Sequence, residues 1–393
     1  MGFFRISAQA RPAVCRFFFI RVLQYTPYMK PVIVNGIGTD ASSDELAACI
    51  HDTFLSASDN CPWLKAGDTV LLKPALNSPD PYPSTTHPLA IRVIADLLEE
   101  RGAKVVIGDQ SGIEHVLHHP RGVLKGSSRA NYIHSGMGSP DDSRFVSFED
   151  EGWEGGFLHH QSHHTPSWKS GFFIAEWARR ANHIICLPRV STHSQAGATL
   201  GFKCMVGLLR EDSRMEFHAN GPYNNFITKS AKGSTLISRD DGTSTFFEKI
   251  VEISDAIRDK LRLTLFVATK AQASFGPDRF GIRIGTRGLG RAYVMSPDPG
   301  LVFASADPLA ADAFALALLK DLKTRVPFLP KLTERVFLFQ NRNVLDFAAI
   351  PVRDHPYIRH ATTIGLGGLP GEIRYAGVPV AVQERLNTLL NQQ

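Results

Sequence analysis

Chemically capable side chains recur at the ends of short apolar runs in this chain. Lys73 closes the run 70–72 with Asn77 four residues on, and Asp109 closes 105–108. Arg189, Thr192 and His193 follow 184–187, Lys270 follows 263–268 and Asp307 follows 301–304. Ammonium and guanidinium groups bind carboxylate or phosphate, a carboxylate ligates a divalent metal or a hydroxyl, and an imidazole moves protons near neutral pH. His193 and Lys203 flank a stretch of small residues, 194–201, where backbone can approach a ligand closely. Arg214 and His218 lie among Asp212 and Glu216. His193, Lys203, Arg214 and His218 together supply two cations and two groups that titrate near neutrality, a set suited to binding an acidic substrate and moving a proton.

The catalytic candidates are therefore His193, His218 and Asp109. The ligand-binding candidates are Lys73, Asn77, Thr86, His87, Lys203, Arg214 and Asp307. Each has a plainer reading beside it: Lys73 as the ion-pair partner of Asp109, Asp109 as a turn former, Thr86 as a helix cap with a solvated His87. His159, His160, His163 and His164 form two i, i+4 pairs that would chelate Zn, Ni or Cu on a helix. Gly155, Gly156 and Pro166 argue against a helix there, which leaves a solvated loop as the other reading.

A parallel sheet is what would bring such residues together, because every strand then ends at the same edge. The clearest unit is 68–109. A strand, a Pro-rich loop, a helix from Thr86 with Ile91, Ile94 and Leu98 on one face, Gly102 at its end and a second strand make a right-handed βαβ unit. The expected fold class is α/β: a mostly parallel sheet with helices on both faces, long loops over the carboxyl edge at 110–168, and a small C-terminal extension. Strands are expected at 30–38, 183–190, 262–269 and 301–304, helices over 42–56, 171–182, 202–211, 246–261 and 307–322, and irregular chain at 213–245. Residues 278–295 alternate as two short strands joined by a turn. The domain reading is a leader or docked segment at 1–28, a core over 29–325 and an extension over 326–393.

At 393 residues, with 43% hydrophobic and 21% charged, the chain reads as a folded globular protein. Residues 1–28 hold four Arg and no acid, and setting them aside leaves a body close to neutral, with no basic face for nucleic acid. Five dispersed cysteines, Cys15, Cys49, Cys61, Cys186 and Cys204, exclude a disulfide scaffold and a clustered iron–sulfur motif and fit a reducing cytoplasm. No apolar run is long enough for a membrane span. No GxGxxG follows the first strands and no GxxxxGK occurs, so neither a Rossmann dinucleotide nor a P-loop nucleotide is expected.

The segments VLLKPAL, TTHPLAIRVIADLLEERGAKVVIGD, ANHIICLPRVSTH, GFKCMVGLL with Arg214 and His218 beyond it, and FASADPLAADAFA occur in that order over about residues 68–320. Together they resemble the family catalogued as domain of unknown function 362. The resemblance implies a Lys-Pro-Asn at the first block, a Pro-Lys with a nearby His at the third and a Lys-Asn at the fourth. Lys73, Pro74, Pro188, His193 and Lys203 keep that pattern, while Ala75, Arg189 and Cys204 depart from it. Many members also carry a ferredoxin-like cysteine segment, absent from this sequence. The leading expectation is an enzyme for a small anionic molecule, with a divalent metal as the cofactor class its acids and histidines would admit. The alternative is a non-catalytic metal or ligand carrier using the His-rich loop, and a third is a redox protein docking an electron carrier. An oligomer is compatible with either of the first two.

Overall fold

A computed structural model describes residues 30–219, 245–284, 287–339 and 342–392. The expected leader at 1–28 lies outside the described residues, as does most of the stretch expected to be irregular at 213–245. In chain order the elements that matter are β1 (Val32–Ile37), α1 (Ser43–Ala57), β2 (Thr69–Pro74), α2 (Pro88–Glu100), β3 (Lys104–Asp109), β4 (Phe145–Ser147), β5 (His183–Leu187), α3 (Gly201–Cys204), α4 (Glu211–Ala219), β6 (Leu261–Ala268), β7 (Gly300–Ser305), α5 (Pro308–Thr324) and β8 (Ile373–Ala376).

Among the described residues one sheet holds eight strands in the order β8-β1-β7-β6-β5-β2-β3-β4. The pairs β2–β3, β2–β5, β5–β6, β3–β4 and β1–β8 are parallel, and only β7 runs against its two neighbours, β1 and β6. The fold is thus α/β with a mostly parallel sheet. Helices cover both faces, as the alternation along the strands requires. Ile33, Val302 and Ala304 pack with Ile50, Phe54 and Ile94 of α1 and α2, while Val32, Val34, Leu301 and Phe303 pack with Phe314 and Leu318 of α5 on the other side.

Local chemistry sets the helix starts. Ser42 and Glu45 form a reciprocal capping box at α1, with Ser42 N–H donating to Glu45 at 2.7 Å. At α2 the cap is His87, not Thr86: His87 Nδ1 accepts from Leu89 N–H at 3.2 Å. Gly102 follows with φ +84°, the left-handed end expected there.

The sequence reading needs correcting in several places. The stretch 171–182 is a strand, Phe172–Ala175, plus one short helical turn, because its aromatic residues pair with Phe157–His160. Residues 202–211 split into α3 and a 3-10 turn, Met205–Leu208, while the stretch from 213 opens inside helix α4. The expected helix over 246–261 is α-helical only over Phe246–Glu252, followed by the 3-10 segment Ile253–Ile257. The polar stretch 110–168 is partly ordered, carrying a hairpin, the helix Ser128–His134 and edge strand β4. The C-terminal region supplies β8, which pairs in parallel with β1.

Beyond the carboxyl ends of β5 and β6 the chain builds a second, four-stranded sheet, Gly197–Thr199, Ser191–His193, Ala271–Ser274 and Tyr293–Met295 in that order. It makes one wall of the site. No helix among the described residues is long and apolar enough to cross a membrane.

Candidate functional site

Parallel β2, β3 and β5 deliver their next residues to one edge. Asn77 follows β2, Asp109 ends β3, and Arg189 and His193 follow β5. The chain then turns through α3 and α4, which add Lys203, Arg214 and His218. These residues line one cavity of 160 Å³, together with Glu114, His115 and Asp278.

The floor is an ion pair. Lys73 Nζ lies 2.9 Å from Asp109 Oδ1, with side chains 0% and 3% exposed. Burial alone would lower the Lys73 ammonium, but Asp109 holds it above its ordinary value. Asp109 also accepts from Leu76 N–H and from Gln110 N–H, each at 2.8 Å. Its oxygens are therefore committed to tying β2 to β3, and Lys73 lies under the cavity without lining it. The 3-10 turn closes over this pair at Gly207, where a Cβ would lie 1.8 Å from Asp109 Oδ1 and 2.6 Å from Lys73 Nζ. Only glycine lets the backbone pass so near.

Arg214 is largely spent on backbone. Its Nε donates to Val206 O at 3.2 Å, and its two Nη groups donate to Ser111 O and Gln110 O, stapling the loop after β3 to α4. Glu211, fully buried beside it, is pushed up to about 8 by burial, partly opposed by Arg214.

Three titratable groups of the cavity, Lys203, His218 and His193, are strongly shifted. Lys203 Nζ lies 3.4 Å from His218 Nε2. Burial pushes the Lys203 ammonium down to about 7, with Arg214 and Arg189 adding to the effect. Burial and Lys203 hold both imidazoles well below the usual histidine range, so both are neutral at pH 7. Their tautomers follow from their partners. His218 Nδ1 meets the Arg214 carbonyl at 2.7 Å, and a carbonyl only accepts, so Nδ1 carries the proton and Nε2 keeps a lone pair towards Lys203. His193 Nδ1 accepts from Gln195 N–H at 3.1 Å and Ala196 N–H at 3.3 Å, so its proton sits on Nε2. One ring is thus set as a base and the other as a donor.

Support comes from α5, which packs against α3. Asp312 of α5 accepts from Gly201 N–H at 2.7 Å and Phe202 N–H at 2.9 Å, which fixes the start of α3 and hence Lys203. Burial pushes the Asp312 carboxyl up to about 7.

A family model described as Domain of unknown function (DUF362) matches residues 70–317, which includes Lys73, Asp109, His193, Lys203 and His218. The chain belongs to that family. No curated protein matches it. In this DUF362 chain Arg189, at the departure from the resemblance pattern, is buried, donates through Nη1 to Asn77 Oδ1, and is lowered to about 10 by burial.

Other expected residues go elsewhere. Thr86 Oγ1 accepts from Ala75 N–H at 2.8 Å and donates to Leu187 O, pinning the ends of β2 and β5 together. His87, besides capping α2, packs edge-on against Tyr82, and burial lowers it to about 4. Asp307 is at the opposite sheet edge because β7 is antiparallel, and it caps α5 by accepting from Leu309, Ala310 and Gly368 N–H. His159 and His160 sit on a strand rather than a helix: His159 meets Ser170 O at 2.7 Å and His160 meets Asp255 at 3.0 Å. The His163 and His164 rings pack on each other at 3.7 Å. The four do not form a metal-ligating group among the described residues.

Sequence reasoning missed Gln110, Glu114, His115 and Asp278, which line the cavity, and Glu211 and Asp312, which pack behind it. Position past a strand end could have flagged Gln110 and its neighbours. Nothing local marks Asp278 or Asp312, which reach the site only through packing.

Proposed function

We propose that this chain is an enzyme acting on a small anionic molecule, carboxylate or phosphate, held in the carboxyl-edge cavity. The carrying observation is the Lys203–His218 contact at 3.4 Å inside a cavity that Arg189, Arg214 and His193 also line. An entering carboxylate or phosphate meets the Arg189 guanidinium and restores the charge on Lys203, because an anion beside a desolvated amine favours its protonated form. His218 Nε2 then serves as base, and the neutral His193 Nε2–H serves as a hydrogen-bond donor to charge developing on the substrate. Lys73 positions this set from beneath the cavity, paired with Asp109. The free cysteines Cys49, Cys61, Cys186 and Cys204 support a reducing, cytoplasmic setting.

Calorimetric titration of the full chain with oxalate and with inorganic phosphate at pH 6.5 tests this. One of them should bind the wild type, and Lys203→Met should abolish that binding while the melting temperature stays within a few degrees. No binding by the wild type, or unchanged binding by the variant, defeats the proposal.

A further inference from the structure

Two loops that are far apart in sequence meet at the cavity. Glu114 and His115, beyond β3, and Asp278, beyond the strand Ala271–Ser274, place one imidazole nitrogen and two carboxylate oxygens within 4.8 Å of one another. His115 Nε2 and Asp278 Oδ2 are 3.0 Å apart, with side chains only 11% and 12% exposed. The arrangement is braced: Asn77 donates through its amide to Asp278 Oδ1 and accepts Arg189 on its own oxygen. Two carboxylates gathered this closely in a partly desolvated place repel, and a proton or a cation between them relieves that.

A second observation points to a ligand in the same cavity. Arg189 is 3% exposed and lines the cavity, yet its Nε has no hydrogen-bond partner among the described residues. A buried guanidinium N–H left in this way costs free energy unless an anion takes it.

We infer that Glu114, His115 and Asp278 hold a divalent transition-metal ion at the cavity wall. One imidazole with two carboxylates suits Mn²⁺, Fe²⁺, Co²⁺ or Zn²⁺, whereas Ca²⁺ and Mg²⁺ favour all-oxygen shells and Cu⁺ favours sulfur. Three protein ligands leave coordination positions open, as in metal sites that receive substrate. The ion bears two charges against two carboxylates, so the cavity keeps its cationic character from Arg189. The inference rests on the anion reading only in naming the substrate class: a carboxylate with a neighbouring oxygen, which chelates the ion while Arg189 Nε–H donates to it.

The test is titration of the metal-stripped full chain with Mn²⁺, followed by electron paramagnetic resonance of the free ion. One Mn²⁺ per chain should bind, and His115→Ala and Asp278→Asn should each weaken it by about 100-fold or more, beyond the loss typical of groups outside the metal shell. His159→Ala should leave it unchanged. If both site variants fail to fold, electron spin-echo modulation of Mn²⁺ on the wild type decides: coupling to one imidazole nitrogen is expected, and its absence overturns the inference. So does a wild type that binds no Mn²⁺, or site variants that bind as well as wild type. The two readings separate, because oxalate binding to the stripped chain with no Mn²⁺ site leaves the anion proposal standing alone. Mn²⁺ binding without any oxalate or phosphate binding leaves the metal site standing alone.

Discussion

The carboxyl-edge cavity and the hairpin Phe157–His160 with Phe172–Ala175 both carry histidines, and they use them in opposite ways. In the cavity, residues from far apart in the chain converge because β2, β3 and β5 are parallel and end together. In the hairpin, neighbours in sequence diverge: consecutive residues of a strand face opposite sides, so His159 and His160 turn to Ser170 and to Asp255. Density of titratable residues along the sequence is therefore a poor guide to a site. The direction of the strands that carry them is a better one.

The sharpest way to break the cavity is from beneath. Lys73→Met leaves Asp109 buried without its cation and should cost roughly 3–5 kcal/mol, read by denaturant unfolding. A loss no larger than that of an ordinary surface change would mean the floor is not held by charge.

Two buried groups, one lining the cavity and one beside Arg214, should give opposite pH slopes. The folded chain releases the Lys203 proton near 7, while the unfolded chain keeps it to its ordinary 10.5. Unfolding then takes up a proton, so this group's contribution to stability rises with pH across that window. Lys203→Met should remove the rise, making the variant's relative stability greatest near pH 7 and smaller towards pH 10 in thermal melts. Glu211 works the other way: folded, it holds its proton to about 8, against an ordinary 4.5. Its contribution falls as pH rises through that range. Glu211→Gln should match wild type near pH 4.5 and exceed it at pH 8. Parallel melting profiles for either variant and wild type would remove that group from the electrostatic account.

The smallest effect belongs to the hairpin. His159→Ala should shift stability by no more than about 0.5 kcal/mol and leave oxalate, phosphate and Mn²⁺ titrations unchanged. A change in any titration would restore a role for the His-rich segment.

Periodicity and strand-end position already marked the βαβ unit at 68–109, the strand-end placement of Asn77, Asp109, Arg189 and His193, and the region around Lys203, because those are local properties of short windows. The same reasoning misplaced Asp307. Its strand carries the apolar signature of its neighbours, and an apolar run does not reveal which way it points in a sheet.

By itself the sequence determined the α/β class, the βαβ unit at 68–109 and which polar residues end apolar strands, since helix and strand periods, glycine stops and proline turns act over a few residues. Tertiary structure alone decided that β7 runs backwards and that Asp109 is consumed by Lys73. It also decided that His218 and Lys203 touch, and that Asp278 meets His115 from 163 residues away. Those are long-range contacts, fixed by how whole elements pack, and burial then sets the protonation states that the chemistry depends on.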